Sequence, residues 1–246
     1  MNDAVKSHFD EYARRGEWQS FYLKSGANFS VPFQLRFEKF SEFLSQVAPK
    51  SVLDAGCGSG DFVAVMPNTV EIYRGIDLSE QMINSARDRF EADGNERKPF
   101  KISFDAVDIL AYSPGETFDF VLASGLTEYF DDIEAVFSKL YALTTNGGFA
   151  AVQTPNRNFF RWKGQHKVLS ADKGFAHHRL SYDELDALAE RVGFRKVGGA
   201  FVNHVLIPYS LKMPLLHRML DSIGQRLPNQ VAEKRASMYV GLYEKR

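Results

Sequence analysis

The sequence predicts an α/β three-layer sandwich: a mostly parallel sheet covered by helices on both faces. Three observations carry this. Short apolar runs alternate with amphipathic helical stretches from about residue 50 onward. The first of those runs ends in a cluster of glycines, and a later one, residues 118–124, is apolar almost throughout. Alternation of this kind implies right-handed crossovers between parallel strands. A run without polar alternation marks a central strand buried on both faces.

Taken in chain order, the first 48 residues read as a helical cap. Phe9, Tyr12, Trp18 and Tyr22 fall at roughly helical spacing between residues 3 and 24. Phe33, Phe37, Phe40 and Leu44 fall on one face of a second helix over residues 32–47. Residues 51–55 form a short buried strand running into glycines and then a helix. Residues 71–77 read as a strand and 79–91 as a helix, with Ser79 as its N-cap. Residues 101–108 are a third strand and 118–124 a fourth. A helix over 131–143 stops at Asn146-Gly147-Gly148, and a strand over 149–154 follows.

Beyond Pro155 the pattern loosens, and residues 156–180 have no clean period. Ser181 with Glu184 three residues later is a capping box opening a helix over 181–192, and Gly193 stops it. Strands follow at 194–202 and 237–244. Between them lies an insertion, residues 204–231, with an amphipathic piece at 215–223. The expected organisation is a single domain over 1–246: the cap (1–48), a core (50–154) and a second half (155–246) carrying the insertion.

Bulk properties narrow the function classes. The 246 residues are 44% hydrophobic and 25% charged, with a formal net charge of −1. Such a balance offers no general hold on a nucleic-acid backbone, so no nucleic-acid partner is expected. The one cysteine, Cys57, excludes an intrachain disulfide and a multi-cysteine zinc site. No apolar run is long enough to span a membrane, and the first residues lack the apolar centre of a signal peptide. A cytoplasmic location is the default expectation. Monomer and homodimer stay open.

The glycine-rich turn carries the chemistry. A parallel strand that enters such a turn forms a ligand pocket at the sheet's carboxyl edge, and a Cβ there would block ligand from backbone. The spacing is Gly56, Gly58, Gly60, with Asp54 before it and Asp61 behind. That departs from the G-x-G-x-x-G dinucleotide pattern, and acids suit a cationic ligand better than a pyrophosphate. Asp77 ends the second strand, where a carboxylate can accept two ribose hydroxyls. Asp108 and Ile109 end the third, placed for an amino group and a ring face. Ser124 ends the fourth, with Glu128 and Tyr129 just beyond it.

Residues 52–60, Val-Leu-Asp-Ala-Gly-Cys-Gly-Ser-Gly, resemble motif I of class I methyltransferases that use S-adenosylmethionine. Residues 75–79, Gly-Ile-Asp-Leu-Ser, resemble that family's acidic-loop motif, and 118–129 and the Asn146-Gly147-Gly148 turn are similar to its pattern. The likeness covers residues 50–154 well and 181–202 moderately. It implies a Rossmann-like sheet of seven strands with an antiparallel last strand, and an N-terminal helical lid. It also implies that Asp54, Gly56, Cys57, Gly58, Gly60, Asp77, Leu78, Met82, Asp108, Ile109 and Ser124 hold S-adenosylmethionine. Tyr12 and Tyr22 join them from the lid, and Arg36 reaches the cofactor carboxylate. The leading Phe9…Tyr12…Tyr22 pattern loosely resembles quinone and porphyrin O-methyltransferases.

The expected reaction is therefore methyl transfer to a small-molecule acceptor at oxygen, without a metal; S-adenosylhomocysteine is the product. N- or C-methylation and a non-catalytic binding module remain as alternatives. An NAD-type dehydrogenase fails on glycine spacing and Asp61. Methyl transfer needs positioning and desolvation more than a nucleophile, but a hydroxyl acceptor benefits from a base. His178 and His177 are the candidates, because they precede the capped helix where this fold builds its substrate wall. The insertion reads either as a lid over a hydrophobic acceptor or as a dimer contact or core-covering helix.

Overall fold

The computed structural model describes residues 3–16, 18, 31–90, 99–170, 174–206 and 214–246. Two helices lead, α1 (Asp3–Arg14) and α2 (Val31–Val47), followed by β1 (Ser51–Ala55), β2 (Ile72–Asp77), α3 (Glu80–Phe90), β3 (Lys101–Ala106) and β4 (Phe118–Ser124). Then come α4 (Ile133–Leu143), β5 (Thr144–Pro155), a hairpin of β6 (Lys167–Ser170) and β7 (Phe175–His178), and α5 (Tyr182–Arg191). The chain closes with β8 (Phe194–His204), α6 (Pro214–Gly224), α7 (Asn229–Arg235) and β9 (Ala236–Lys245).

Seven strands form one sheet in the order β3-β2-β1-β4-β5-β9-β8. β1 to β5 pair in parallel, and β9 runs antiparallel between β5 and β8. Strand alternation sorts the core into two layers. Leu53, Val121, Ala123 and Val152 face one side, packed with Phe137 and Leu140 of α4 and Leu185 and Ala189 of α5. Val52, Phe120, Leu122 and Ala151 face the other, with Phe40 and Leu44 of α2 and Ile83 and Ala86 of α3. The expected sandwich with its antiparallel last strand is what the chain forms.

Local signals explain most boundaries. Ser79 Oγ accepts from Met82 N at 3.1 Å and caps α3. Ser181 and Glu184 form the full capping box of α5, and Gly193 follows with φ 107°. Three expectations change. No α-helix follows the glycine turn; a 3-10 turn, Asp61–Val65, stands there, because Pro67 holds Met66 extended at ψ 129°. The helix ending expected at residues 146–148 comes earlier. Thr144 Oγ1 donates to Leu140 O at 2.8 Å, the strand starts at once, and the glycines sit in a register shift against β4. The patternless stretch after Pro155 holds the β6–β7 hairpin.

The described part of the insertion packs on β8, β9 and α2. α6 packs on β8 and α2, with an Arg218–Glu38 ion pair, and α7 buries Ala232 in the opposite layer. Residues 207–213 lie outside the described part. No described helix is long and apolar enough to cross a membrane.

Candidate functional site

A cavity of about 320 Å³ opens at the carboxyl edge of β1, β2 and β4. Its floor is the glycine turn. Gly56, Gly58 and Gly60 all have positive φ (78°, 53° and 75°), so the chain reverses there in a left-handed conformation that L side chains rarely adopt. A Cβ at Gly58 would stand 2.9 Å from Trp18 Nε1, inside the cavity lining. Asp77 closes the turn: its Oδ2 accepts from Gly58 N at 3.0 Å and its Oδ1 from Ser79 N at 2.8 Å. Burial pushes this carboxyl above the usual range, against the pull of those amides.

One wall is helical. Asp10 accepts from Ser79 Oγ at 2.6 Å and pairs with Lys6 at 2.8 Å, which docks α1 on the start of α3. Val5, His8, Phe9 and Tyr12, spaced at one helical face, then line the cavity. Across it stand Tyr129 and His177, with ring centroids 5.1 Å apart, and Phe9 meets Tyr129 at 5.4 Å. At the far end sit Ser124, Gly125, Glu128, Arg36 and Phe33. Arg36 lies 4.6 Å over the Phe33 ring and donates to Gln153 Oε1 at 3.0 Å.

Glu128 is brought there by a 3-10 turn, Thr127–Tyr129, after Gly125 at φ 73°. Burial raises its carboxyl to about 7, while its own backbone amide and Arg36 work to lower it. Its Oε2, like Ser124 Oγ, is buried with no hydrogen-bond partner. A buried orphan polar atom is costly, and both lie in residues that line the cavity.

Of the residues singled out from sequence, Tyr12, Arg36, Gly56, Gly58, Asp77, Leu78, Ile109, Ser124 and His177 line this cavity. Cys57 and Met82 are buried outside its lining, as is Asp54 beneath the turn. Gly60 packs on Phe104 and Phe90. Asp108 turns back to accept from Leu110 N at 2.9 Å. His178 does not reach the cavity; successive residues of a strand face opposite sides, and its Nε2 meets Asp131 Oδ1 at 2.9 Å. Tyr22 lies outside the described residues. His8, Lys6 and Val107 also line the cavity and were missed; for His8, its place one turn before Tyr12 was the available signal.

The reading of the turn as acid-flanked needs revision. Arg89 pairs with Asp61 at 2.9 Å, and Ser59 Oγ donates to that carboxylate at 3.0 Å. Asp54 is held near neutrality: burial raises it to about 7 although Tyr73 OH donates to it at 2.6 Å. Of the three acids Asp77 alone lines the cavity.

Comparison with known proteins accords with this geometry. The methyltransferase domain family matches residues 33–198, more than half of the chain. The chain is 29% identical over 188 residues to a ubiquinone biosynthesis O-methyltransferase of Bordetella avium, covering 72% of this chain and 76% of that protein. It is 35% identical over 112 residues to the enzyme of the same name from Thiobacillus denitrificans, covering 46% and 47%. It spans about half the length of most such relatives, among them a trans-aconitate 2-methyltransferase of Methylobacterium radiotolerans (28% identical, 47% of this chain, 43% of that one). In fold it resembles magnesium protoporphyrin IX methyltransferase of Synechocystis, with TM-score 0.65 at 14% identity over 100% of this chain and 98% of that one. A family match over this span, on a sheet of this order, leaves one assignment: the chain belongs to the methyltransferase domain family.

Proposed function

We propose that this enzyme methylates a small molecule at oxygen, using S-adenosylmethionine held in the cavity over the glycine turn. The carrying observation is Asp77, an acid at the end of β2 on the floor of a cavity whose turn lacks side chains. Each Asp77 oxygen holds one backbone amide, which fixes the carboxylate and leaves a lone pair on each for a ribose hydroxyl. Gly56 and Gly58 admit the ligand against the backbone. Leu78 and Ile109 offer apolar faces for the adenine. Ser124 Oγ, buried without a partner, fits a polar ligand group. Arg36 serves the amino-acid carboxylate, and Tyr12 presents a π-face to a cation.

When bound, S-adenosylmethionine supplies a sulfonium-activated methyl group. The chain's tasks are then orientation and the exclusion of water, both favoured by the aromatic wall of α1, Tyr129 and His177. Asp54, Cys57, Gly60 and Met82 shape the turn from behind. Relatives named as O-methyltransferases favour oxygen as the acceptor atom, and no cluster of metal-ligating residues occurs among the described residues. Calorimetry should show S-adenosylhomocysteine binding, and the same product should be released in the presence of hydroxyl acceptors. Product release with amines alone would overturn the oxygen assignment, and no binding at all would overturn the whole reading.

A further inference from the structure

A second cavity, of about 380 Å³, lies beside the first at the ends of β5 and β9. Phe33, Arg36 and Glu128 line both, so these three residues form the partition. Its remaining wall is largely apolar and aromatic: Phe159, Trp162, Pro155 and Met238, with the Phe159 and Trp162 rings 5.2 Å apart. Polar groups enter at Asn203, Ser237 and Arg161. Asn203 is buried at φ 64°, a conformation uncommon for a residue with a Cβ and of the kind found at functional walls.

Glu128 is 7% exposed, and its Oε2 has no hydrogen-bond partner. Gly125 makes room for Arg36 beside it. A Cβ there would stand 3.0 Å from Arg36 Nη1 and 3.7 Å from Glu128 Oε1. The acid therefore sits on the boundary between the two cavities, with one oxygen uncommitted.

We propose that Glu128 is the catalytic base that takes the proton of a phenolic hydroxyl bound in the second cavity, an assignment that rests on the methyl-transfer reading above. The phenolic oxygen forms the new O–CH3 bond with its own electron pair. The S–CH3 bond of the donor breaks with its pair passing to sulfur, and the phenolic proton moves to the Glu128 carboxylate, which later releases it to water. Burial places that carboxyl at about 7, so a useful fraction is ionised near neutral pH. A phenol, with a pKa of roughly 10, lies within reach of such a base during bond formation. The titratable groups lining the two cavities are Arg36 from α2, which lowers the carboxyl, Lys6, His8 and Tyr12 from α1, and Asp77, Tyr129, His177 and Arg161. His177 lines the first cavity only, packed 5.2 Å from Phe175 and 5.1 Å from Tyr129, so the base assigned to a hydroxyl in the second cavity is Glu128.

The test uses the full chain with S-adenosylmethionine and two phenols: 4-methylphenol, protonated near neutral pH, and 4-nitrophenol, largely ionised slightly above it. With 4-methylphenol, Glu128→Gln should lower kcat by about a hundredfold with little change in KM. With 4-nitrophenol, which brings no proton to remove, the loss should stay within about tenfold. Glu128→Asp should recover part of the rate, and Trp162→Ala should raise KM for both phenols. Glu128→Gln should still bind S-adenosylhomocysteine, and its unfolding midpoint should not fall below that of the wild type. Equal losses on the two phenols, or a change in KM alone, would remove Glu128 from the proton path. Wild-type protein that binds S-adenosylhomocysteine but methylates neither phenol would overturn this inference and leave methyl transfer standing. Failure to bind S-adenosylhomocysteine would instead strike the earlier reading.

Discussion

Two aspartates, Asp54 beneath the glycine turn and Asp221 on α6, are equally buried at 1% exposure and behave oppositely. Asp54 receives one hydrogen bond, from Tyr73 OH, and its Oδ1 has none. Asp77 and Asp61 add repulsion, so burial wins and the carboxyl rises to about 7. For Asp221 burial also acts to raise the carboxyl. His204 opposes it with its backbone N at 2.7 Å and its Nδ1 at 2.8 Å, both on Oδ1, while Gln225 Nε2 donates to Oδ2 at 2.8 Å. Those donors outweigh burial and hold Asp221 below the usual range. Donors and neighbouring charges, and not lack of accessible surface alone, decide which form of a buried acid the fold prefers. They separate a ligand-side region kept poised from a junction in which both oxygens of the acid are held.

The most severe way to break this contrast is to strip Asp221 of its histidine side-chain partner. His204→Phe keeps a ring of similar bulk but loses the bond to Oδ1. Removing one partner of a buried pair costs roughly 3–5 kcal/mol, read as a lower midpoint in urea unfolding. In the wild type Asp221 stabilises the fold above its unfolded pKa, and that contribution disappears as pH falls through the lower folded value. In His204→Phe that acid-side loss should fade. An unchanged midpoint would mean the bond carries little.

Asp54→Asn probes the opposite case. Asp54 has a raised folded pKa, so between about pH 4 and pH 7 the unfolded chain has lost a proton that the folded chain keeps. Stability therefore falls as pH rises through that window. A shift from 3.8 to about 7 amounts to at most about 4 kcal/mol. The variant retains an acceptor for Tyr73 and should gain on the wild type as pH rises, by a substantial part of that amount. Parallel pH profiles for the two proteins would contradict the poised state of Asp54.

Asp77 lies between these extremes, with two backbone donors and a carboxyl still raised by burial. Its remaining lone pairs are the ones assigned to ligand. Asp77→Ala should weaken S-adenosylhomocysteine binding by roughly 3 kcal/mol, somewhat over a hundredfold. Undiminished affinity in calorimetry would reassign the cavity floor.

The sequence revealed features set by neighbouring residues better than features set by distant ones. Strand ends, the Ser79 cap, the capping box at Ser181 and the left-handed turn at Gly56 to Gly60 all follow from contacts a few residues apart. Asp77 was legible for the same reason, since a strand end fixes where its carboxylate stands. Asp61 was misread because its neutralising partner, Arg89, is 28 residues away. His177 and His178 could be ranked only with their strand in view. Val168 pairs with His177 across the hairpin, and the alternation that separates the two histidines exists only once that pairing forms. Glu128 was visible as a residue beyond β4. Its place beside Arg36, for which Gly125 makes room, depends on α2.

The smallest expected effect sharpens the rule by changing an acceptor instead of a donor. Glu184 is partly exposed, and burial again acts to raise it; Ser181 N at 2.8 Å and Arg157 at 2.6 Å prevail, leaving it lowered like Asp221. Ser181→Ala removes the hydroxyl that accepts from Glu184 N at 3.3 Å, a group that lowers the Glu184 carboxyl less than the backbone amide and Arg157 do. The backbone amide and Arg157 still hold the carboxylate. The cost should be about 1 kcal/mol, typical of a lost N-cap, and nearly the same at pH 5 as at pH 8. A loss that shrank as pH fell below the unfolded pKa of Glu184 would mean the hydroxyl sustains the carboxylate as well as the helix start, and donors and acceptors could not then be treated as separate levers.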